Sequence, residues 1–127
     1  MSDDMNQHTS HPFGFYDSRW GNPVWVWPQV RHYPNGRLAI QLFSYSAENN
    51  FIEPWATVTV NLPDQAIPEN TVCVKDYSEN DGLLELLIQS NIVEPKAVLE
   101  IPSGFVLIPV HPLTENFLTF ALETVKC

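Results

Sequence analysis

Four carboxylates, Asp76, Glu79, Asp81 and Glu85, fall within ten residues of the stretch VKDYSENDGLLELLIQSNI. Carboxylates packed this closely can do three kinds of chemistry. As a pair they can exchange protons with a substrate. Spaced around a loop they can hold a hard cation. Held open to solvent they can attract a basic partner. The cation loop fails on spacing. Asp76, Ser78 and Asn80 take the first, third and fifth places of a calcium-loop register, but the sixth, which needs glycine, is Asp81, and the twelfth, which needs a bidentate glutamate, is Leu87. Proton exchange by Asp76 and Glu79 lacks companions. Ser103 in IPSGF has no G-x-S-x-G elbow. Cys73 lies among the valines of TVCVKDY, where nothing lowers a thiol pKa. His32 beside a turn and His111 before Pro112 read as surface residues. His8 and His11 stand three apart without a second pair of ligands. Catalytic residues, metal and cofactor are therefore all assigned as none.

The third chemistry has the charge for it. The 127 residues carry 15 Asp+Glu against 6 Lys+Arg, a net charge of −9. Between Glu48 and Glu100 stand ten acids and two bases, Lys75 and Lys96. Such a surface repels phosphate, which disfavours direct binding to nucleic acid or to an anionic membrane. It attracts a basic protein or a nucleoprotein complex. The expected partner-binding residues are Asp76, Glu79, Asp81 and Glu85, with Glu48 and Glu53. The alternative is an aromatic patch. The segment FGFYDSRWGNPVWVWPQVRHY crowds seven aromatic rings into 21 positions. Trp20, Trp25 and Trp27 could grip a ligand or a second copy of the chain.

The elements that must position these residues follow from pattern. The polar start MSDDMNQHTSHP reads as a flexible arm over 1–12, with one domain over 13–127. It does not read as a secretory leader, and no apolar run approaches the ~20 residues of a membrane span, so a cytoplasmic location is expected. VWVW is a β-strand with Trp25 and Trp27 on one face, demoted to an edge or ended by Pro28. Pro34-Asn35-Gly36 is a turn leading into a half-buried strand through Leu38, Ile40 and Leu42. SAENNFIEP reads as a loop, Trp55 to Leu62 as a strand, and TVCVKD as another. Ser78 and Asp81 fit a capping box for a helix from Glu79 to Ser90, ended by Asn91 and Pro95. A turn at Pro102-Ser103-Gly104 precedes a strand from Phe105 to Val110, which Pro109 either places at an edge or ends. The tail carries Phe117, Ala121 and Val125 at the spacing of a helix capped by Thr114, while NFLTFAL would also serve as a strand. Cys73 reads as a buried free thiol, and a disulfide to Cys127 is open to the chain but not called for by the spacing. The sum is an α+β fold: an antiparallel sheet of about four to six strands, with one main helix over 79–90 packed on a face.

YPNGRLAIQLF, PWATVTVNLP, VKDYSENDGLLELLIQSNIVEP and IPSGFVLIPV together resemble a small domain-of-unknown-function family of bacterial phages, plasmids and integrative elements. The resemblance covers residues 33–110. It implies a mobile element in the cytoplasm of a bacterial host, and a small accessory protein that antagonises host defence. Combined with the charge, the expectation is a non-catalytic inhibitor, anti-CRISPR-like or antirestriction-like, that occupies a basic surface of a defence complex.

Overall fold

The computed structural model describes residues 11–46, 48 and 50–126. His8, Cys127 and the first ten positions of the expected arm lie outside them, as does the side chain of Val125. The fold is α+β, built on two antiparallel sheets and two α-helices. The first sheet contains β1 (Phe15–Asp17), β2 (Val24–His32), β3 (Leu38–Ser46) and β4 (Phe51–Thr57), in that spatial order. The second contains β5 (Thr71–Cys73), β6 (Leu99–Ser103) and β7 (Val106–Pro112), ordered β5-β7-β6. One sheet was expected. The division arises at residues 58–60, which leave β4 and cross to β5. The Val58 N–H donates to the Ile40 carbonyl, while the Val58 carbonyl accepts from Lys75 N–H and Val60 N–H bonds to Cys73.

The β2–β3 hairpin forms where the sequence places it. Gly36 adopts φ 88°, and its N–H donates to the Tyr33 carbonyl at 2.8 Å. Tyr33 N–H donates to Arg37 at 2.7 Å. That bond fixes which residues of β2 face β3: Tyr33, Arg31, Gln29 and Trp27, alternating along the strand. Pro28 therefore faces the other way, beyond the end of β1, where no ladder partner is required. The strand runs on through the proline instead of ending. Pro109 sits in the middle strand of the second sheet, not at the expected edge. Its carbonyl accepts from Val74 N–H, so it faces β5 at the point where that chain departs toward Thr59, and its missing donor leaves no gap in the ladder. The loop expected over SAENNFIEP is shorter: its last four residues, from Phe51 on, belong to β4. This edge strand tolerates Pro54, and a register shift opposite Leu42 and Phe43 inserts Trp55 as an extra residue.

The expected helix over 79–90 is shorter. Ser78 (φ 59°) opens a single 3-10 turn, Ser78–Asn80, and Gly82 (φ 90°) breaks the chain before α1 (Leu83–Gln89). Ser78 does not hold the cap position: Tyr77 precedes the 3-10 turn and Gly82 precedes α1, and neither makes a side-chain cap bond. Asp76 takes that role from outside the helix: its Oδ1 accepts from Leu84 N–H at 2.9 Å. The far end is as expected. Asn91 adopts φ 61°, Ile92 N–H reaches Leu87 and Asn91 N–H reaches Ile88, which together make a Schellman closure. The tail forms the longer helix, α2 (Glu115–Lys126). The Thr114 hydroxyl caps it, accepting from Phe117 N–H at 3.1 Å while donating to the Asn91 carbonyl at 2.7 Å. One hydroxyl thus ties the start of α2 to the end of α1.

Both helices close the inner face of the first sheet. Val26, Val30, Ile40 and Leu42 project from it onto Leu83 and Leu87 of α1 and Phe117 and Ala121 of α2. Burying each large side chain here contributes about 1.5–3 kcal/mol. Phe13 stands edge-on to Phe117, with centroids 4.9 Å apart, and His11 packs against Phe120 at 5.0 Å. The second sheet serves two cores by alternation. Val72 and Val74 enter the main one, while Cys73, Ile101, Ile108 and Val110 form a smaller one. Cys73 is a buried free cysteine, and burial pushes its thiol pKa up. His111, expected at the surface, is buried beside Val72, with Nδ1 at 2.8 Å from the Glu94 carbonyl. A position on the middle strand outweighs its polar flanks.

Replacing Phe117 with alanine should lower unfolding stability by about 3–5 kcal/mol, against about 1 kcal/mol for Thr114→Ala. Urea denaturation measures both. A Phe117→Ala loss below about 1 kcal/mol would contradict the packing of α2 on the sheet.

Candidate functional site

The run Tyr16-Asp17-Ser18-Arg19-Trp20 leaves β1 through an Asx turn. Asp17 Oδ1 accepts from its own backbone two residues on, at Arg19 N–H, 3.1 Å away. The turn brings the two side chains together as a fork: Arg19 Nε lies 3.0 Å from Oδ1, and Nη2 lies 2.7 Å from Oδ2. Asp17 is 2% exposed. Burial alone would raise its carboxyl pKa. The bonds from Arg19 and Trp55 and the adjacent guanidinium charge outweigh that and hold it below the ordinary carboxylate value. Trp55 Nε1–H donates to Asp17 Oδ2 at 2.9 Å. This bond joins the two outermost strands of the first sheet, which requires the sheet to coil strongly. The bulge at Trp55 aims the indole for it. The Arg19 guanidinium lies over the Trp20 ring, 4.4 Å from its centroid. Its stem passes Gly82, where an added Cβ would come within 3.6 Å of Cδ.

Against this node the 75–82 segment closes a cleft of about 310 Å³, lined by Trp20, Pro54, Trp55, Lys75, Glu79 and Asn80. Trp20 and Trp55 are tilted by 47° with centroids 5.6 Å apart. Asn80 is buried and donates from Nδ2 to the Thr57 carbonyl at 2.6 Å, which anchors the 3-10 turn to the end of β4. Lys75 Nζ pairs with Glu79 Oε1 at 2.6 Å. That bond, with others from the backbone and Ser78, lowers the Glu79 carboxyl to about 2, so it is ionised throughout the physiological range. Trp20 is 57% exposed.

The expected acidic residues divide. Asp76 is half-buried and serves as the cap of α1. Glu79 lines the cleft. Asp81 and Glu85 are exposed next to it in the chain, and Glu85 accepts from Gln89 at 3.3 Å. Glu48 is exposed in the β3–β4 connection, and Glu53 lies on β4 opposite Ser44. The tryptophans divide too. Trp25 and Trp27 share a face of β2, but Trp27 is buried, and Trp25 packs over Gly14 with Tyr16 edge-on at 5.0 Å. Of the three, Trp20 lines the cleft with Glu79, so one member of each candidate set meets there. Asp17, Arg19, Trp55, Lys75 and Asn80 escaped the sequence reading. The Asp-x-Arg spacing signalled the Asx turn, and the four-residue spacing of Lys75 and Glu79 signalled their pair; the contacts from Asn80 to Thr57 and from Trp55 to Asp17 cross 23 and 38 residues. No protein-family model, curated protein or solved structure matches this chain.

Asp17→Asn strands a buried guanidinium and should cost about 3–5 kcal/mol at neutral pH. Because the folded carboxyl titrates below its ordinary value, its contribution is complete above the unfolded pKa of about 3.9 and fades as pH falls through the folded one. Urea denaturation of wild type and variant should therefore converge in strong acid. A gap that stays constant with pH would show that the ionic part contributes nothing.

Proposed function

We propose that the protein is a non-catalytic acidic binding protein of a mobile genetic element, acting by occupying a basic surface on a host defence nucleoprotein complex. The observation that carries this reading is the exposure of charge. Eight of the ten acids between Glu48 and Glu100 are exposed, the other two, Glu53 and Asp76, being half-buried. The carboxylates suited to proton exchange are committed elsewhere, Asp76 to a helix end and Glu79 to Lys75. Asp81 and Glu85 stand outward on a scaffold fixed by Leu83 and Leu87 beneath them. Opposed charge at that surface would speed encounter and select partners more than it would add raw affinity. The mobile-element and host-defence parts rest on the resemblance over residues 33–110, and the charge is what makes a basic partner the fitting one.

A second reading draws on the outer face of the first sheet. Tyr16 and Ile52 are exposed there, with Trp25 half-buried between strands, and a hollow of about 290 Å³ opens beside Phe43, Pro54 and Gln29. A second copy seated on that face would make the chain dimeric. Sedimentation should then show a concentration-dependent dimer that Tyr16→Glu dissolves; a monomer at all concentrations excludes it.

For the main reading, capture from bacterial lysate at low salt should retain a nucleoprotein complex that high salt releases. Reversing charge with Asp81→Lys and Glu85→Lys together should abolish most of that retention while leaving the circular dichroism spectrum unchanged. Retention indifferent to both salt and reversal would refute the proposal.

A further inference from the structure

We infer that the cleft between Trp20, Trp55 and Glu79 is a receptor for a single arginine side chain of the basic partner. The inference rests on the reading of a basic partner and names the point of contact. Three observations carry it. The first is that the cleft combines an exposed indole with a carboxylate held ionised by its surroundings, which is what a guanidinium needs: a π face to lie on and an anion to bond. The second is that the same arrangement already exists within the chain. Arg19 lies over one side of Trp20 while its fork grips Asp17. Trp20 is also a wall of the cleft and is 57% exposed, so an incoming guanidinium would meet its indole there and find Glu79 in place of Asp17. The third is that the cleft already holds a cation. Lys75 extends its ammonium to Glu79, both at the surface, and an exposed pair of this kind is readily opened. The incoming group exchanges with Lys75 and adds stacking that an ammonium supplies less well.

The walls suit a rigid receptor. Trp55 is pinned by Asp17, Asn80 by the Thr57 carbonyl, and Pro54 by its place in β4. Little ordering is left to be done on binding, which favours affinity from a small contact.

The test titrates the whole protein with two acetylated, amidated peptides of equal charge, one alternating arginine with glycine and the other lysine with glycine. The arginine peptide should bind about tenfold more tightly. It should shift the indole N–H resonances of Trp20 and Trp55 in a nitrogen–proton correlation spectrum. Trp20→Leu and Glu79→Gln, both at exposed positions, should each erase the preference for arginine. Lys75→Met should tighten binding more than Lys96→Met, which removes the same charge outside the cleft. If the two peptides bind alike, Trp20→Leu changes nothing, and reversal at Asp81 and Glu85 releases both, the cleft is overturned and the acidic-surface reading stands. If neither peptide binds, both fall.

Discussion

A buried ion pair two residues long in sequence holds the outer strands of this protein together. Asp17 and Arg19 are costly to take out of water, and they obtain most of the compensation from each other and from the Trp55 indole. Because Asp17 ends β1 and Trp55 lies in β4, their bond is possible only when the four-stranded sheet curls across its own width. The curl sets the concavity into which α1 and α2 pack, and it brings the 75–82 segment against the rim of β4. The cleft and the apolar core are thus two outcomes of one constraint. One strained point is visible: Arg19 Nη1 is buried and finds no acceptor among the described residues. The fork therefore satisfies most but not all of a charged group in a poorly solvated place, which makes the node costly to disturb.

Charge and scaffold play separate parts in the acidic region. A cluster that looks uniform in sequence contains one carboxylate that builds the fold, one that lines a cleft and two that face water. What separates them is backbone direction. Ser78 and Gly82 both take positive φ, and that pair of kinks turns Asp76 back toward α1 while sending Glu79 toward β4. A continuous helix from residue 79 would have put Asp81 and Glu85 on one polar stripe and left Glu79 far from any tryptophan.

Much of the local structure was legible in the sequence because it depends on neighbours. Asn35-Gly36 made its turn, Asn91 closed α1, Thr114 capped α2, and the period-two pattern set Trp25 and Trp27 on one side of β2. What failed to show depends on distant partners. Pro28 and Pro109 read as marks of a strand's edge or end and Pro54 as part of a loop, yet each lies in a strand: Pro28 and Pro109 face a side that asks for no donor, and Pro54 sits on the sheet's edge at a bulge. The lesson concerns direction: a proline excludes one side of a strand, and only the pairing decides which side that is. The cleft was half legible. Its two chemistries were both apparent, but their meeting required the bond from Trp55 to Asp17, 38 residues apart.

The same prolines bear on how the molecule behaves when concentrated. With Pro109 facing β5, residues Leu99, Ile101 and Ser103 of β6 turn toward β7, and the open border of that sheet is left to Glu100 and Pro102. One brings a charge and the other lacks an amide hydrogen. The border at β4 carries Pro54 and a bulge, and the free half of β2 carries Pro28. The borders at β4 and β6 therefore offer neighbouring molecules no uninterrupted row of donors to extend, and stacking into cross-β fibrils is obstructed there from within the sequence.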